Sequence, residues 1–90
     1  MNKKELVAMM AELSNQSKAS CEKSVDAFMV AVTDALKKGD DVRLVGFGIF
    51  YAVKREATTG RNPRTGVAIN IPASVQPKFK AGKSLKDDIN

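Results

Sequence analysis

The chain has 90 residues, one cysteine, no histidine and a formal net charge of +5. A chain of this length forms one domain at most and lies near the limit of independent stability, so dimerisation is an expected source of further burial. The lone Cys21 and the lack of histidine argue against stabilisation by a disulfide bond or a structural metal ion. We therefore expect a cytoplasmic protein with a reduced cysteine and without a metal or cofactor.

The first predicted element is a short amphipathic helix. Its apolar residues recur at helical spacing: Leu6, Met9, Met10 and Leu13. Asn2 suits the N-cap position, with Glu5 three residues later as in a capping box. Lys3 and Lys4 precede a run that Glu5 and Glu12 interrupt, which is too short and polar for an export signal or a membrane span.

A longer helix follows, and it completes a helical hairpin over residues 1–40. Ser17 can cap it, and Gly39 ends it. Its apolar stripe consists of Cys21, Val25, Phe28, Met29, Val32 and Leu36. Such a stripe could line a cofactor, but methionine and phenylalanine at this spacing are typical of plain core, and we interpret Cys21 as a small buried hydrophobe.

From Val42 the sequence takes on the pattern of strands. Val42–Val45, a turn at Gly46 and Phe47–Val53 predict a β-hairpin. Val67–Ile71 predicts a third strand, and Val75–Phe79 a further one that Pro77 interrupts.

Gly82 then precedes a short C-terminal helix at about 83–89. The order of elements predicts an α+β fold with a three-stranded antiparallel sheet. As a single domain it would comprise a helical part (1–40), a sheet with an arm (41–82) and the last helix (83–90).

Residues 54–66 contain no large apolar side chain, so they cannot pack into a core. Strand-like runs flank them, and Asn62-Pro63 with Gly60 and Gly66 supplies the residues of a chain reversal. We therefore predict a protruding two-stranded ribbon, the arm, over about 54–72. A leg of about seven residues at about 3.3 Å each spans about 23 Å, enough to follow a DNA groove. A loop without a function is the alternative.

The positive charge is confined to one part of the chain. Residues 1–53 are neutral, whereas residues 54–90 carry eight basic side chains against three acidic ones. This pattern favours a polyanion as partner, although a solvated charged face would have the same composition. Arginine in the arm can bind phosphate or enter a narrow minor groove, and Pro63 at the tip is either a turn residue or an apolar wedge between base pairs.

Several stretches match those typical of one protein family: Gly46–Phe50, Arg55 with Gly60–Gly66, Ile69 with Ile71–Ala73, and Pro77–Lys86. On these residues the chain resembles the HU and integration host factor family over essentially its whole length. The resemblance implies an intertwined dimer whose body is formed by the N-terminal helices, with a sheet over the DNA. It also implies arms in the minor groove and a tip proline that intercalates and bends the duplex.

The resemblance further indicates which residues meet DNA and which meet the partner subunit. The DNA-binding set, with Pro63 as the intercalating residue, comprises Lys3, Lys54, Arg55, Arg61, Asn62, Pro63, Arg64, Lys78, Lys80, Lys83 and Lys86. The dimer core comprises Phe28, Val32, Leu36, Leu44, Phe47, Phe50 and Phe79. Many members have arginine in place of Thr58 and charged residues in place of Val67 and Ala68, so these departures bear on the affinity of the arm.

Two other classes of function compete with this interpretation. Gly82-Lys83-Ser84 matches the end of a phosphate-binding loop, but Pro77 stands where that loop needs glycine, so no enzyme is expected. A sequence-specific bending regulator of the integration host factor type uses the same fold, and structured RNA is a third possible target. We expect a nucleoid-associated protein that bends and compacts duplex DNA with little sequence specificity, as a homodimer or with a paralogous subunit and without a membrane partner.

Overall fold

The computed structural model describes residues 1–90, the whole of the sequence. Two helices come first, antiparallel strands follow and a short helix comes last, which confirms the predicted α+β class. In chain order the elements are α1 (Lys3–Ser14), α2 (Lys18–Lys37), β1 (Val42–Leu44), β2 (Gly48–Arg55), β3 (Thr58–Arg61), β4 (Ala68–Ile71), β5 (Ser74–Ala81) and α3 (Lys83–Ile89). No helix combines the length and apolar character that crossing a membrane requires.

The chain forms two compact units, Met1–Ala35 and Leu36–Asn90. The first contains α1 and most of α2, and the second contains the five strands and α3. The grouping of all 90 residues into one domain stays a prediction.

In the first unit, both helices begin at the predicted caps. The Asn2 side chain accepts a hydrogen bond from the Glu5 N–H at 2.9 Å, and the Ser17 hydroxyl accepts one from the Ser20 N–H at 3.1 Å. Each bond satisfies a donor that the first helical turn cannot pair. Asn15 ends α1 in the left-handed conformation, with φ at 56°. Local side-chain chemistry therefore fixes the ends of the helical hairpin.

The first unit buries little of its apolar surface. Val7 and Cys21 are its buried hydrophobic side chains, at 5% and 2% exposure, so the burial expected for Cys21 is confirmed. The stripe residues Leu6, Met9 and Leu13 are exposed instead, Leu13 by 82%. Helical spacing identified the apolar side of α1, but one copy of the chain does not cover it.

In the second unit, three antiparallel strands form a sheet in the order β1-β2-β5. The hairpin predicted around Gly46 is confirmed, and Gly46 has the positive φ of 82° that its tight turn requires. The third strand of this sheet is β5. The predicted strand Val67–Ile71 corresponds to β4, and it belongs to the predicted arm, where it pairs with β3 in a separate two-stranded sheet.

The prediction that Pro77 interrupts its strand was wrong. β5 runs unbroken through Pro77, which lies opposite Ala52. Further along the same ladder the Gly82 N–H donates to the Phe47 carbonyl at 2.8 Å. Positions that bond to the neighbouring strand alternate with positions that do not, so the backbone nitrogen of Pro77 lies at a position that makes no bond to β2. Because β5 is an edge strand, its missing N–H leaves no partner unpaired.

β3 and β4 form the predicted ribbon. Arg55 pairs with Ser74 at the end of the larger sheet, and Thr58 pairs with Ile71 at the start of the ribbon, so the register is unchanged. Two residues on each leg lie between these pairs: Glu56 and Ala57 on one, Pro72 and Ala73 on the other. Since Pro72 has no N–H to give to a ladder, it favours a break in pairing here.

Candidate nucleic-acid interface

Backbone hydrogen bonds and one side chain define the tip of the arm. The Asn62 N–H donates to the Val67 carbonyl at 3.0 Å, and the Gly66 N–H donates to the Asn62 carbonyl at 2.8 Å. The Asn62 side-chain oxygen also accepts from the Arg64 N–H at 2.9 Å, while Gly66 has a φ of 70°. These contacts hold the turn closed and leave Pro63 exposed at its start, where an apolar ring faces solvent.

The predicted arm cations surround this tip and its base. Arg61 ends β3, Arg64 lies in the turn, and Lys54 with Arg55 ends β2. All four side chains are exposed, and none forms a salt bridge. Their guanidinium and ammonium groups are therefore free to bind an anionic polymer.

A second cationic region lies where β5 meets α3. Lys80, Lys83 and Lys86 line a hollow of about 410 Å³ in which Asp87 is the single acidic residue. Lys83 and Lys86 are three residues apart and share one side of α3. Lys78 is exposed two residues before Lys80, on the same side of β5. Three of the lysines in the predicted DNA-binding set are thus brought together, and Lys78 is close by along the strand.

The geometry around Gly82 differs from that of a phosphate-binding loop. Residues 77–81 belong to β5 and are paired with β2, and the Gly82 N–H is already bonded to the Phe47 carbonyl. A loop that encloses phosphate needs free N–H groups in this segment. Binding of an anion here would therefore rely on lysine side chains.

Lys3 lies in the first unit and is already paired. Its ammonium forms salt bridges with Asp26 at 2.5 Å and with Glu22 at 3.9 Å. The hydrogen bond to Asp26 is the main cause that raises the pKa of Lys3, and the charges of Asp26 and Glu22 add to it. A phosphate that binds Lys3 would therefore compete with these carboxylates for the ammonium or share it with them.

Sequence reasoning did not identify these acidic partners. A signal was present, because Glu22 and Asp26 are four residues apart and so lie on one side of a helix.

The predicted dimer core is partly assembled within one chain. The Phe79 ring lies 4.7 Å from Phe50 and 5.6 Å from Phe47, centroid to centroid, and both ring pairs are tilted. Phe47 and Phe79 are nonetheless exposed, as is Phe28 in the first unit. The other predicted members are only half-buried: Val32, Leu36, Leu44 and Phe50.

Comparison with known proteins agrees with this geometry. The family model for bacterial DNA-binding proteins matches residues 1–90. DNA-binding protein HRm of Rhizobium meliloti is 52% identical, and DNA-binding protein HU-beta of Escherichia coli is 50% identical, each over 90 residues and the whole of both chains.

Solved structures give the same result. HU of Anabaena, crystallised with DNA, has a TM-score of 0.87 and 39% identity and covers 99% of this chain and 97% of its own. HU of Thermotoga maritima has a TM-score of 0.70 and 31% identity over the whole of both chains. The predicted resemblance is therefore confirmed, and the chain belongs to the bacterial DNA-binding protein family that includes HU.

Proposed function

We propose that this protein is an architectural DNA-binding protein that bends and compacts duplex DNA with little sequence specificity, in association with the nucleoid. The observation that carries the proposal is the arm tip, where Pro63 is exposed in a turn between Arg61 and Arg64. Two chemically different groups, an apolar ring and fixed positive charges, are presented together. The Anabaena relative crystallised with DNA supports duplex DNA as the ligand.

The two cationic regions would have different roles in binding DNA. The lysines of the hollow, Lys80, Lys83 and Lys86, would bind phosphates and anchor the duplex. The arginines of the arm would follow the minor groove, whose negative potential is strongest where it is narrow. Pro63 would enter a base step, at a cost of a few kcal/mol that phosphate contacts along the bent duplex offset.

Low specificity is favoured over an integration host factor type of regulator. Specific base contacts require side chains that face the major groove, commonly from an α-helix. The short helix beside the cationic hollow, α3, presents lysines there, and lysine contacts to phosphate carry no sequence information. Preference should instead follow the ease of bending, so nicked DNA should bind more tightly than intact DNA.

We also propose that the working unit is a homodimer. Large apolar side chains are exposed on both units, among them Phe28, Met29, Phe47 and Phe79. Exposure on this scale destabilises a lone 90-residue chain, and a second copy of the chain would cover these side chains. Melting should then depend on protein concentration, whereas a monomer mass in sedimentation with a concentration-independent Tm would contradict the dimer. The same experiment with a paralogous chain added would reveal a heterodimer.

One competition experiment tests the DNA proposal. Intact duplex, nicked duplex, random-sequence duplex and duplex RNA would compete for the protein at fixed salt, with bending followed by energy transfer between labelled duplex ends. We expect similar affinity for the intact duplex and the random-sequence duplex of DNA, tighter binding to nicked DNA and a measurable bend. A strong preference for one sequence would favour the regulator, and binding without bending would refute the architectural function.

A further inference from the structure

One carboxylate lies among the lysines of the hollow between β5 and α3. Asp87 lines this hollow together with Lys80, Lys83 and Lys86. Lys83 and Asp87 are four residues apart on α3, so they share one side of the helix. All four side chains are exposed, and none of them forms a salt bridge. The negative charge of Asp87 therefore acts on any anion that enters the hollow.

The next residue carries the same charge on a different side of α3. Successive residues of an α-helix are turned by about 100° about its axis. Asp88 is exposed like Asp87, but it does not line the hollow. Two adjacent carboxylates of one helix thus differ in a single respect, because one lies inside the cationic region and the other outside it.

The hollow has the size of a site for a small molecule. Its volume of about 410 Å³ falls in the range of about 300–1,000 Å³ that is usual for such sites. The rest of its lining is uncharged and consists of Gly48, Ile49, Ala81 and Gly82. A compact polyphosphate therefore has room to approach all three lysines at once. Nucleoside triphosphates are ions of this kind and would compete with DNA for the same ammonium groups.

Duplex DNA meets the hollow in a different way. Its major groove alone is about 12 Å wide, so a duplex cannot enter and must lie across the mouth of the hollow. Lysine has a flexible four-carbon stem that can reach phosphates at the mouth, whereas the aspartate carboxylate is held one methylene from the backbone. Like charges also repel each other less across water than in a partly enclosed space. Asp87 therefore opposes an anion inside the hollow more than a duplex outside it.

We infer that Asp87 keeps compact polyphosphates, such as free nucleoside triphosphates, out of the hollow and so leaves its lysines available to duplex DNA; this inference rests on the proposed function. Without the carboxylate, three unpaired ammonium groups would surround any anion that entered. With it, every phosphate that enters lies close to a like charge. The selectivity comes from a repulsive contact that one ligand must make and the other avoids.

The test compares Asp87→Asn with Asp88→Asn, which remove the same charge inside and outside the hollow. Inorganic triphosphate is the small probe, and its binding would be followed by NMR from the amide shifts of α3 in the full-length protein. Affinity for a labelled DNA duplex would be measured by fluorescence anisotropy at the same salt. Circular dichroism and melting of both variants should match wild type, because both side chains are exposed and unpaired.

The expected result is a loss of selectivity in one variant. Asp87→Asn should bind triphosphate about tenfold more tightly than wild type, and the duplex no more than about threefold more tightly. The gain for triphosphate should shrink as salt is added, since it is electrostatic. It should disappear when Lys83→Ala and Lys86→Ala are added to Asp87→Asn. Asp88→Asn should stay within about twofold of wild type for both ligands.

Four results would overturn the inference alone, provided that wild type binds and bends DNA. An unchanged affinity of Asp87→Asn for triphosphate would show that the carboxylate does not guard the hollow, and equal gains for triphosphate and duplex would show that it does not discriminate. Equal effects of the two variants would mean that only net charge matters. A gain that persists without Lys83 and Lys86 would place the bound triphosphate elsewhere. Wild type that fails to bind DNA would defeat the proposed function and the inference with it.

Discussion

Gly48 is the position at which a single added methyl group should most disturb the fold. It is buried at the start of β2, where it pairs with Leu44 on one side and Ala81 on the other. A Cβ at this position would lie 2.5 Å from the Phe79 ring and 2.6 Å from the Lys80 carbonyl oxygen. Both separations are far inside van der Waals contact. Gly48→Ala must therefore displace an aromatic ring and a paired backbone.

The cost follows from how little those neighbours can yield. The Phe79 ring is packed against Phe50, and moving the Lys80 carbonyl would disturb the register between β2 and β5. Overpacking a core costs about 1–3 kcal/mol, and a backbone contact favours the upper end, so we expect a loss of about 3 kcal/mol. For a chain of this size that corresponds to a fall in Tm on the order of 15 °C.

Thermal unfolding by circular dichroism, at one protein concentration, measures this loss. The matched control is Gly60→Ala, where the new Cβ would meet only the terminal methyl of Ile71 at 3.3 Å, a flexible neighbour on an exposed strand. Its Tm should fall by no more than about a quarter as much. A Gly48→Ala protein that melts within about 2 °C of wild type would refute the packing reasoning. An equal fall in Tm for both variants would show that the loss comes from replacing any glycine and not from the contacts around Gly48.

Three further predictions concern the DNA interface. Pro63→Ala should reduce the bend seen by energy transfer and leave most of the salt dependence, because it removes a wedge and no charge; an unchanged bend would make the proline a turn residue only. Replacing both Lys83 and Lys86 by alanine should flatten log K against log salt by about 3.6 for a dimer, at about 0.9 per phosphate contact, equally for all sequences. An unchanged slope would mean that these lysines do not face phosphate. Asp26 raises the pKa of Lys3 above 10.5, so their pairing stabilises the fold below that pH and is lost as the pH rises past it. Asp26→Asn should lower that pKa towards 10.5 in an NMR titration, and an unchanged value would contradict the assigned cause.

Features that depend on local chemistry could be predicted from the sequence. The caps at Asn2 and Ser17, the turn at Gly46 and the helix that begins after Gly82 all follow from residues within a few positions of each other. The turn at Asn62 belongs to the same class. Such elements need no knowledge of distant partners, which is why their positions agree so closely with the structure.

Features that depend on long-range pairing could not be predicted from the sequence. Whether Pro77 breaks a strand is decided by its hydrogen-bonding position opposite Ala52, and that position is set by a register spanning the whole arm. Periodicity likewise places Leu13 on the apolar side of α1 but does not indicate what covers that side. The DNA-binding set stays a prediction. Within it, the structure shows that the Lys3 ammonium forms a salt bridge with Asp26.

The unchanged register across the break between the larger sheet and the ribbon limits how the length of the arm can evolve. Because Arg55–Ser74 and Thr58–Ile71 belong to one continuous alignment, residues must be gained or lost equally on both legs. An insertion of one residue per leg would turn Ile69 to the opposite face, whereas two per leg would lengthen the arm by about 7 Å and preserve both faces. Insertions and deletions that survive selection in this arm should therefore come in matched pairs, even when the intervening sequence changes freely.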